Sequence, residues 1–192
     1  MDRLLLVRHA QATGHGHADP ALSAAGELQA RQLAARLSGE PVARVLSSPR
    51  LRAQQTSSAI GRSCGLAPEI VPMIDDLTPM PSAERWTDYP EHRWEWLHDT
   101  PPEERDENGV ALQTAWTVLS EMITGATPGT LVVVTHAFVI GSFVSAALAA
   151  PPSAWMLLPV ENTGVTEMQR RSNGELAVLR FNDTCHLEPA RT

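Results

Sequence analysis

Two stretches constrain the fold before anything else does: LLLVRHA at residues 4–10 and LVVVTHA at residues 131–137. Aliphatic runs this short, ending in β-branched residues, mark buried strands. The Gly-rich GHGHADP after the first cannot extend it. Each run therefore ends by presenting a histidine, His9 or His136, at the C-terminal end of a strand. In open α/β sheets that edge is where ligands bind.

The segments between the runs read as helices and further strands. LSAAGELQARQLAARLSGEP predicts a helix capped by Ser23, with Leu28, Ala30, Leu33, Ala34 and Leu37 on its apolar face and Gly39 and Pro41 ending it. VARVLS reads as a strand, followed by a helix with Ser48 as cap and Pro49 in its first position. EIVPMI reads as a third short strand. The stretch at about 75–109, rich in proline, charge and tryptophan, reads as an excursion with short helices that covers the active site. VALQTAWTVLSEMITG sets Leu112, Ala115, Trp116, Leu119, Met122 and Ile123 on one helical face, with Gly125 stopping it. The run at 131–134 leads into an apolar helix closed by Pro151, and the C-terminal part reads as a hairpin turning at Asn173-Gly174.

With 192 residues, 43% hydrophobic and 19% charged, the chain fits one domain spanning 1–192. A formal net charge of −7 argues against broad binding to nucleic acid or anionic membranes, which draws on excess Lys and Arg. A small anionic ligand needs only a local positive pocket. Cys64 and Cys185 lack metal-type spacing and read as ordinary thiols. No membrane span and no signal-type N-terminus is evident, so the expected compartment is the cytoplasm. The oligomeric state is not legible.

If the strands are sheet neighbours, Arg8 and His9 after the first, Arg52 in the first turn of the second helix and His136 after the later run converge at one edge, beside helix N-termini whose free N–H groups favour anions. Two guanidiniums can clamp phosphate oxygens while one imidazole attacks phosphorus and the other stabilises developing charge.

LLLVRHAQAT resembles the RHG-type opening of the histidine phosphatase superfamily, which includes the cofactor-dependent phosphoglycerate mutases. DPALSAAGELQARQLAARL is similar to the segment that follows it, SSPRLRAQQTS to the family's SSPLxRAxQTA element, VVVTHAFVIGSF to its second-histidine element, and FNDTCHL to a common C-terminal ending. Position 10 is alanine where the motif has glycine, and Gln11 stands where many relatives have glutamate. The resemblance implies a three-layer α/β/α sandwich on a mainly parallel sheet. It implies His9 as the nucleophile that becomes phosphorylated, Arg8 and Arg52 as phosphate ligands, and His136 completing the pocket.

Relatives often carry, after the third strand, a glutamate two residues past an apolar position that protonates the leaving oxygen. Here MIDDLTPM counts Asp76 into that place from Ile74, with Asp75 as rival and Glu84 as a third choice. His15, His17 and Asp19 in GHGHAD could suggest a metal site, but glycine spacers leave the geometry undefined, and a solvated loop is the expectation. Tryptophans 86, 94 and 96 with Tyr89 read as packing, Met73 and Met80 as gap fillers, and Arg31, Arg36, Arg44, Arg50 and Arg62 as solvated surface. The sequence thus leads to a phosphatase of small phosphate monoesters working through phospho-His9 with no cofactor and no metal. Phosphoglycerate mutase-type transfer, a phosphohistidine-protein phosphatase and a non-catalytic phospholigand-binding protein are the alternatives.

Overall fold

The computed structural model describes residues 1–14, 19–124 and 128–187. In chain order these form β1 (Arg3–Arg8), α1 (Ala24–Leu37), β2 (Val42–Ser47), α2 (Leu51–Cys64), β3 (Glu69–Ile70), β4 (Thr78–Pro79), α3 (Trp94–His98), β5 (Arg105–Asp106), α4 (Val110–Met122), β6 (Thr130–Thr135), α5 (Ala137–Ala147), β7 (Val165–Arg170) and β8 (Leu176–Asp183). Six strands make the main sheet in the order β3-β2-β6-β1-β7-β8, and β4 pairs with β5 apart from it. β3, β2, β6 and β1 run parallel, β7 is antiparallel to β1, and β8 returns antiparallel to β7.

The two aliphatic runs are apolar at every position because both faces of their strands are covered. Leu4, Leu6, Leu131 and Val133 pack with Leu112 and Leu119 of α4 and Phe143 of α5. Leu5, Val7, Val132 and Val134 point the other way, onto Leu33 and Leu37 of α1 and Ala53 and Ile60 of α2. Period-two alternation across one sheet thus produces the three layers that the resemblance implied. Among the described residues no helix is long and apolar enough to cross a membrane.

Several local expectations shift. Ser23 does cap α1, accepting from Gly26 N at 3.0 Å, but Leu28 is 50% exposed while Gly26 is buried. α2 starts at Leu51, because Arg50 is still extended (φ −68°, ψ 138°) and Ser48 is drawn into the sheet edge instead of capping. The cap comes from far along the chain: Asp19 accepts from Leu51 N through both carboxylate oxygens at 2.9 and 2.8 Å, a contact worth about 1 kcal/mol. EIVPMI pairs only at Glu69–Ile70, since Pro72 opens a 3₁₀ turn. α5 ends at Ala147, well before Pro151, and Gly125 lies outside the described residues. The hairpin turns where expected, with Gly174 at φ 86° and Asn173 Oδ1 accepting from Glu175 N.

The excursion is ordered by its own small core of Met80, Tyr89 and Leu97 against Trp155. Trp86 stacks on His98 at 4.3 Å and meets Trp94 edge-on, so these two tryptophans serve packing. Asp106 closes the segment by accepting from Ala111 N and Leu112 N at the start of α4.

Gly26 lets α1 abut the loop after β1. A Cβ there would lie 2.0 Å from Gln11 O. Gly26→Ala should therefore destabilise the protein by about 1–3 kcal/mol through overpacking, against the gain of up to about 1 kcal/mol expected at an open helical site. Urea unfolding measures it, and a stabilised variant would contradict the close approach.

Candidate active site

The register of β1 with β6 sets Arg8 opposite Thr135, so the residues that follow, His9 and His136, leave the sheet together. His9 N donates to Thr135 O at 2.9 Å, and the two imidazole centroids are 5.1 Å apart. Both side chains are buried, His9 at 8% and His136 at 1% exposure.

His9 is held in one tautomer. Its Nδ1 lies 2.8 Å from Ala10 O, which can only accept, so Nδ1 carries the proton. Nε2 is left with its lone pair and accepts from Arg52 Nε at 3.2 Å. Ala10 is itself fixed by donating its N–H to Thr56 Oγ1 at 3.0 Å. Burial, reinforced by the nearby Arg52 and Arg8 guanidiniums, lowers the His9 pKa to about 4. It is a neutral imidazole at neutral pH.

Arg52, in the first turn of α2, is the hub. Besides His9 it donates to Asp76 Oδ2 at 2.5 Å and reaches Asp19 Oδ1 at 3.3 Å. Arg8 donates Nη1–H to Val160 O at 2.6 Å, while its Nε is buried with no hydrogen-bond partner. Burial holds the Arg8 pKa below its ordinary value. His136 Nε2 is 2.8 Å from Ser48 Oγ. Its Nδ1 sits 3.3 Å from Asp76 Oδ2 and is buried without a hydrogen-bond partner. Burial, then the neighbouring His9 and guanidiniums, keep His136 well below the usual histidine range.

The two adjacent aspartates part company. Thr135 Oγ1 donates to Ile74 O at 2.7 Å, which pins the turn against β6. Asp75 then faces Arg50 Nε at 2.7 Å and folds back onto Asp76 N. Arg50 is thus a partly buried ion pair, not solvated surface, as is Arg36 with Asp183. Asp76 turns inward to line the cavity, where burial raises its pKa against the opposing pull of Arg52. Glu84 is exposed and does not line the cavity. The cavity, of about 440 Å³, has Arg8, His9, Arg52 and Asp76 along one side and Gln11 and Glu104 among its other walls. Asp19 is committed to α2 and Arg52, whereas His15 and His17 lie outside the described residues. Among the described residues no cluster of three or more His, Cys, Asp or Glu side chains could hold a metal ion.

Sequence reasoning passed over the brace behind His9. Asn162 Nδ2 donates to His9 O at 2.9 Å, and Thr163, at φ 58°, donates its N–H to Arg8 O at 3.0 Å. Thr163 Oγ1 donates to Asn162 O and meets His186 Nε2 at 3.0 Å, which ties in the C-terminal CHL. An Asn-Thr-Gly turn entering a strand was the available signal, but its contacts are made with β1, over 150 residues away. Glu104 gave no signal: a carboxyl in a charged excursion reads as solvated.

With this geometry in place, comparison with known proteins becomes informative. The family profile for the histidine phosphatase superfamily (branch 1) matches residues 4–184, and the chain belongs to that superfamily, whose members are enzymes of phosphoryl transfer. It is 26% identical over 209 residues to a protein of Yersinia enterocolitica named Probable phosphoglycerate mutase GpmB, covering 98% of this chain and 96% of that protein. Among solved structures it is similar to a phosphoserine phosphatase from Entamoeba histolytica (21% identity, TM-score 0.73, 98% of this chain and 100% of that one). It is also similar to a mycobacterial glucosyl-3-phosphoglycerate phosphatase (20% identity, TM-score 0.74, 94% and 98%). At these identities the solved structures show a shared fold.

The tautomer of His9 is directly observable. Nitrogen-15 NMR of the imidazole should show a neutral ring protonated on Nδ1 at pH 6, titrating only near pH 4. An unfolded chain's histidine protonates near 6.5, so between these values the unfolded state binds more protons and stability falls as pH drops through the window. A cationic His9 at pH 6 would contradict the assignment.

Proposed function

We propose that this enzyme is a phosphatase that hydrolyses small phosphate monoesters, carrying the phosphoryl group transiently on His9 Nε2. The observation that supports this most is the arrangement around that atom. His9 lines a cavity together with Arg8, Arg52 and Asp76, and two buried nitrogens of the same cluster, Arg8 Nε and His136 Nδ1, have no hydrogen-bond partner. Buried polar groups are rarely left unmatched, and a bound phosphoryl oxygen would supply the acceptor that Arg8 Nε lacks.

In the first half-reaction Arg52 turns its Nε–H from His9 to the phosphoryl oxygens, the freed Nε2 lone pair attacks phosphorus, and the P–O bond to the alcohol breaks as Asp76 gives its proton to the departing oxygen. The arriving phosphate competes with Asp76 for Arg52. A carboxylate that loses its guanidinium partner and gains a neighbouring anion takes up a proton more readily, which primes Asp76 as the acid. In the second, Asp76, now ionised, takes a proton from water as its oxygen attacks phosphorus. The P–N bond breaks and its electron pair returns to Nε2. Throughout, the guanidiniums of Arg8 and Arg52 supply the positive charge, so the chemistry calls for neither metal nor cofactor. We place the activity in the cytoplasm, where a thiol such as that of Cys64 is kept reduced.

The likeness to a protein named phosphoglycerate mutase raises transfer to a second hydroxyl as the other reading. A phosphoglycerate carries a carboxylate besides its phosphate. The cations lining this cavity, Arg8 and Arg52, are both at the phosphoryl position, and Glu104 stands among the other walls. Among the described residues nothing there matches a second anion, which favours water as acceptor.

Two measurements test this. With excess EDTA, the purified protein should release inorganic phosphate from a panel of small monoesters and pass none to 3-phosphoglycerate, as followed by phosphorus-31 NMR. Transfer outrunning hydrolysis would establish a mutase, and activity lost to EDTA but restored by a divalent ion would overturn the metal-free scheme. In single turnover, Asp76→Asn should slow phosphoenzyme formation from an alkyl phosphate by roughly 10²–10⁴-fold, but that from p-nitrophenyl phosphate only slightly, because nitrophenolate leaves unaided. Asp75→Asn should show no such split. Equal losses on both substrates would give Asp76 a positioning role.

A further inference from the structure

A second cavity, of about 300 Å³, is lined mainly by aromatic and aliphatic side chains. Trp96, Phe138 and Trp155 form its aromatic wall, with Phe138 5.0 Å from Trp155 and 5.4 Å from Trp96, both edge-on. Leu158 and Val160 complete the apolar lining, and Arg93 at its mouth makes no ion pair among the described residues. Trp155 is the buried floor at 3% exposure and Trp96 the accessible rim at 40%. Of the excursion's tryptophans, Trp96 is the one that leaves the packing core to line a pocket.

This cavity is joined to the catalytic one through the chain. Ala137 in its wall directly follows His136, and the carbonyl of Val160 accepts from Arg8 Nη1. Asn162, two residues beyond Val160, lines the phosphate cavity, so a wall residue of one cavity lies within about 7 Å of a wall residue of the other along the backbone. A link of one or two carbons between phosphate and ring is of the order of that spacing. The volume falls at the lower end of small-molecule sites, roughly 300–1,000 Å³, and aromatic walls of this kind favour edge-to-face or offset contact with another ring. A guanidinium at the mouth adds attraction to a ring face. Among the side chains of these walls only Arg93 carries a charge.

We propose that this aromatic cavity is the leaving-group subsite, and that the preferred substrates are phosphomonoesters whose alcohol carries an aromatic ring one or two carbons from the ester oxygen. This rests on the phosphohistidine phosphatase reading and narrows it to a substrate class.

The test compares 2-phenylethyl phosphate with ethyl phosphate, whose alcohols leave with similar difficulty and differ by the ring. Formation of phospho-His9 from each is followed by rapid quench, alongside kcat/KM. The phenylethyl ester should be favoured by about tenfold or more. Trp96→Ala, at an exposed rim where truncation is tolerated, and Phe138→Leu, which keeps apolar bulk but removes the ring, should each cut that ratio several-fold. A ratio near one in the unaltered protein, or one that neither variant changes, would overturn the subsite while leaving the phosphatase reading intact. Absence of phospho-His9 with every ester would overturn both.

Discussion

The site depends on one pairing, that of β1 with β6. These strands are the two most apolar in the chain and lie side by side in parallel, with Arg8 opposite Thr135. A slip of one residue would turn Leu4 and Leu6 to the face that Leu5 and Val7 now occupy, and would separate His9 from His136 by the length of a residue. The hydrogen bond from His9 N to Thr135 O continues the ladder one step past the sheet. The imidazoles are therefore positioned by the register of the core, the least deformable part of the molecule, and positioning of this kind is a large share of what a protein can contribute to a two-centre reaction.

The same burial sets the chemistry. A largely buried histidine beside two guanidiniums takes up a proton reluctantly, so His9 stays neutral and its Nε2 keeps a lone pair. Arg52 is held between His9, Asp76 and Asp19, and each contact has a different consequence. Toward His9 it helps to fix the tautomer. Toward Asp76 it opposes the effect of burial on the carboxyl that we propose as acid and base. Toward Asp19 it joins the loop after β1 to the start of α2, where Asp19 also supplies the cap that Ser48 does not. Ser48 is committed to His136, which explains why a serine-proline pair that looks like a helix start is followed by an extended Arg50.

The sequence carried more of this site than is usual because its main groups lie on short motifs at strand ends, where apolar runs advertise their position. Arg8, His9, Arg52 and His136 were legible for that reason, and the structure brings all four together. Asp76 was separable from Asp75 only by counting, and the deciding facts are tertiary: Thr135 anchors Ile74, and Arg50 draws Asp75 away. Leu28 fitted the helical period yet faces solvent, because Gly26 takes the close contact with Gln11. Asn162 and Thr163 act through backbone contacts to a strand at the other end of the chain, and local patterns carry no trace of such pairings. Arg36 and Arg50 read as surface because an ion pair cannot be seen from one partner.

The central claim is that His9 Nε2 forms a bond to phosphorus. Rapid acid-avoiding quench of the enzyme with a labelled phosphomonoester, followed by peptide mapping, should find the label on the peptide containing His9, stable to alkali and lost in acid as a phosphoramidate is. Label on a serine or on His136, or full turnover by His9→Ala, would contradict the account.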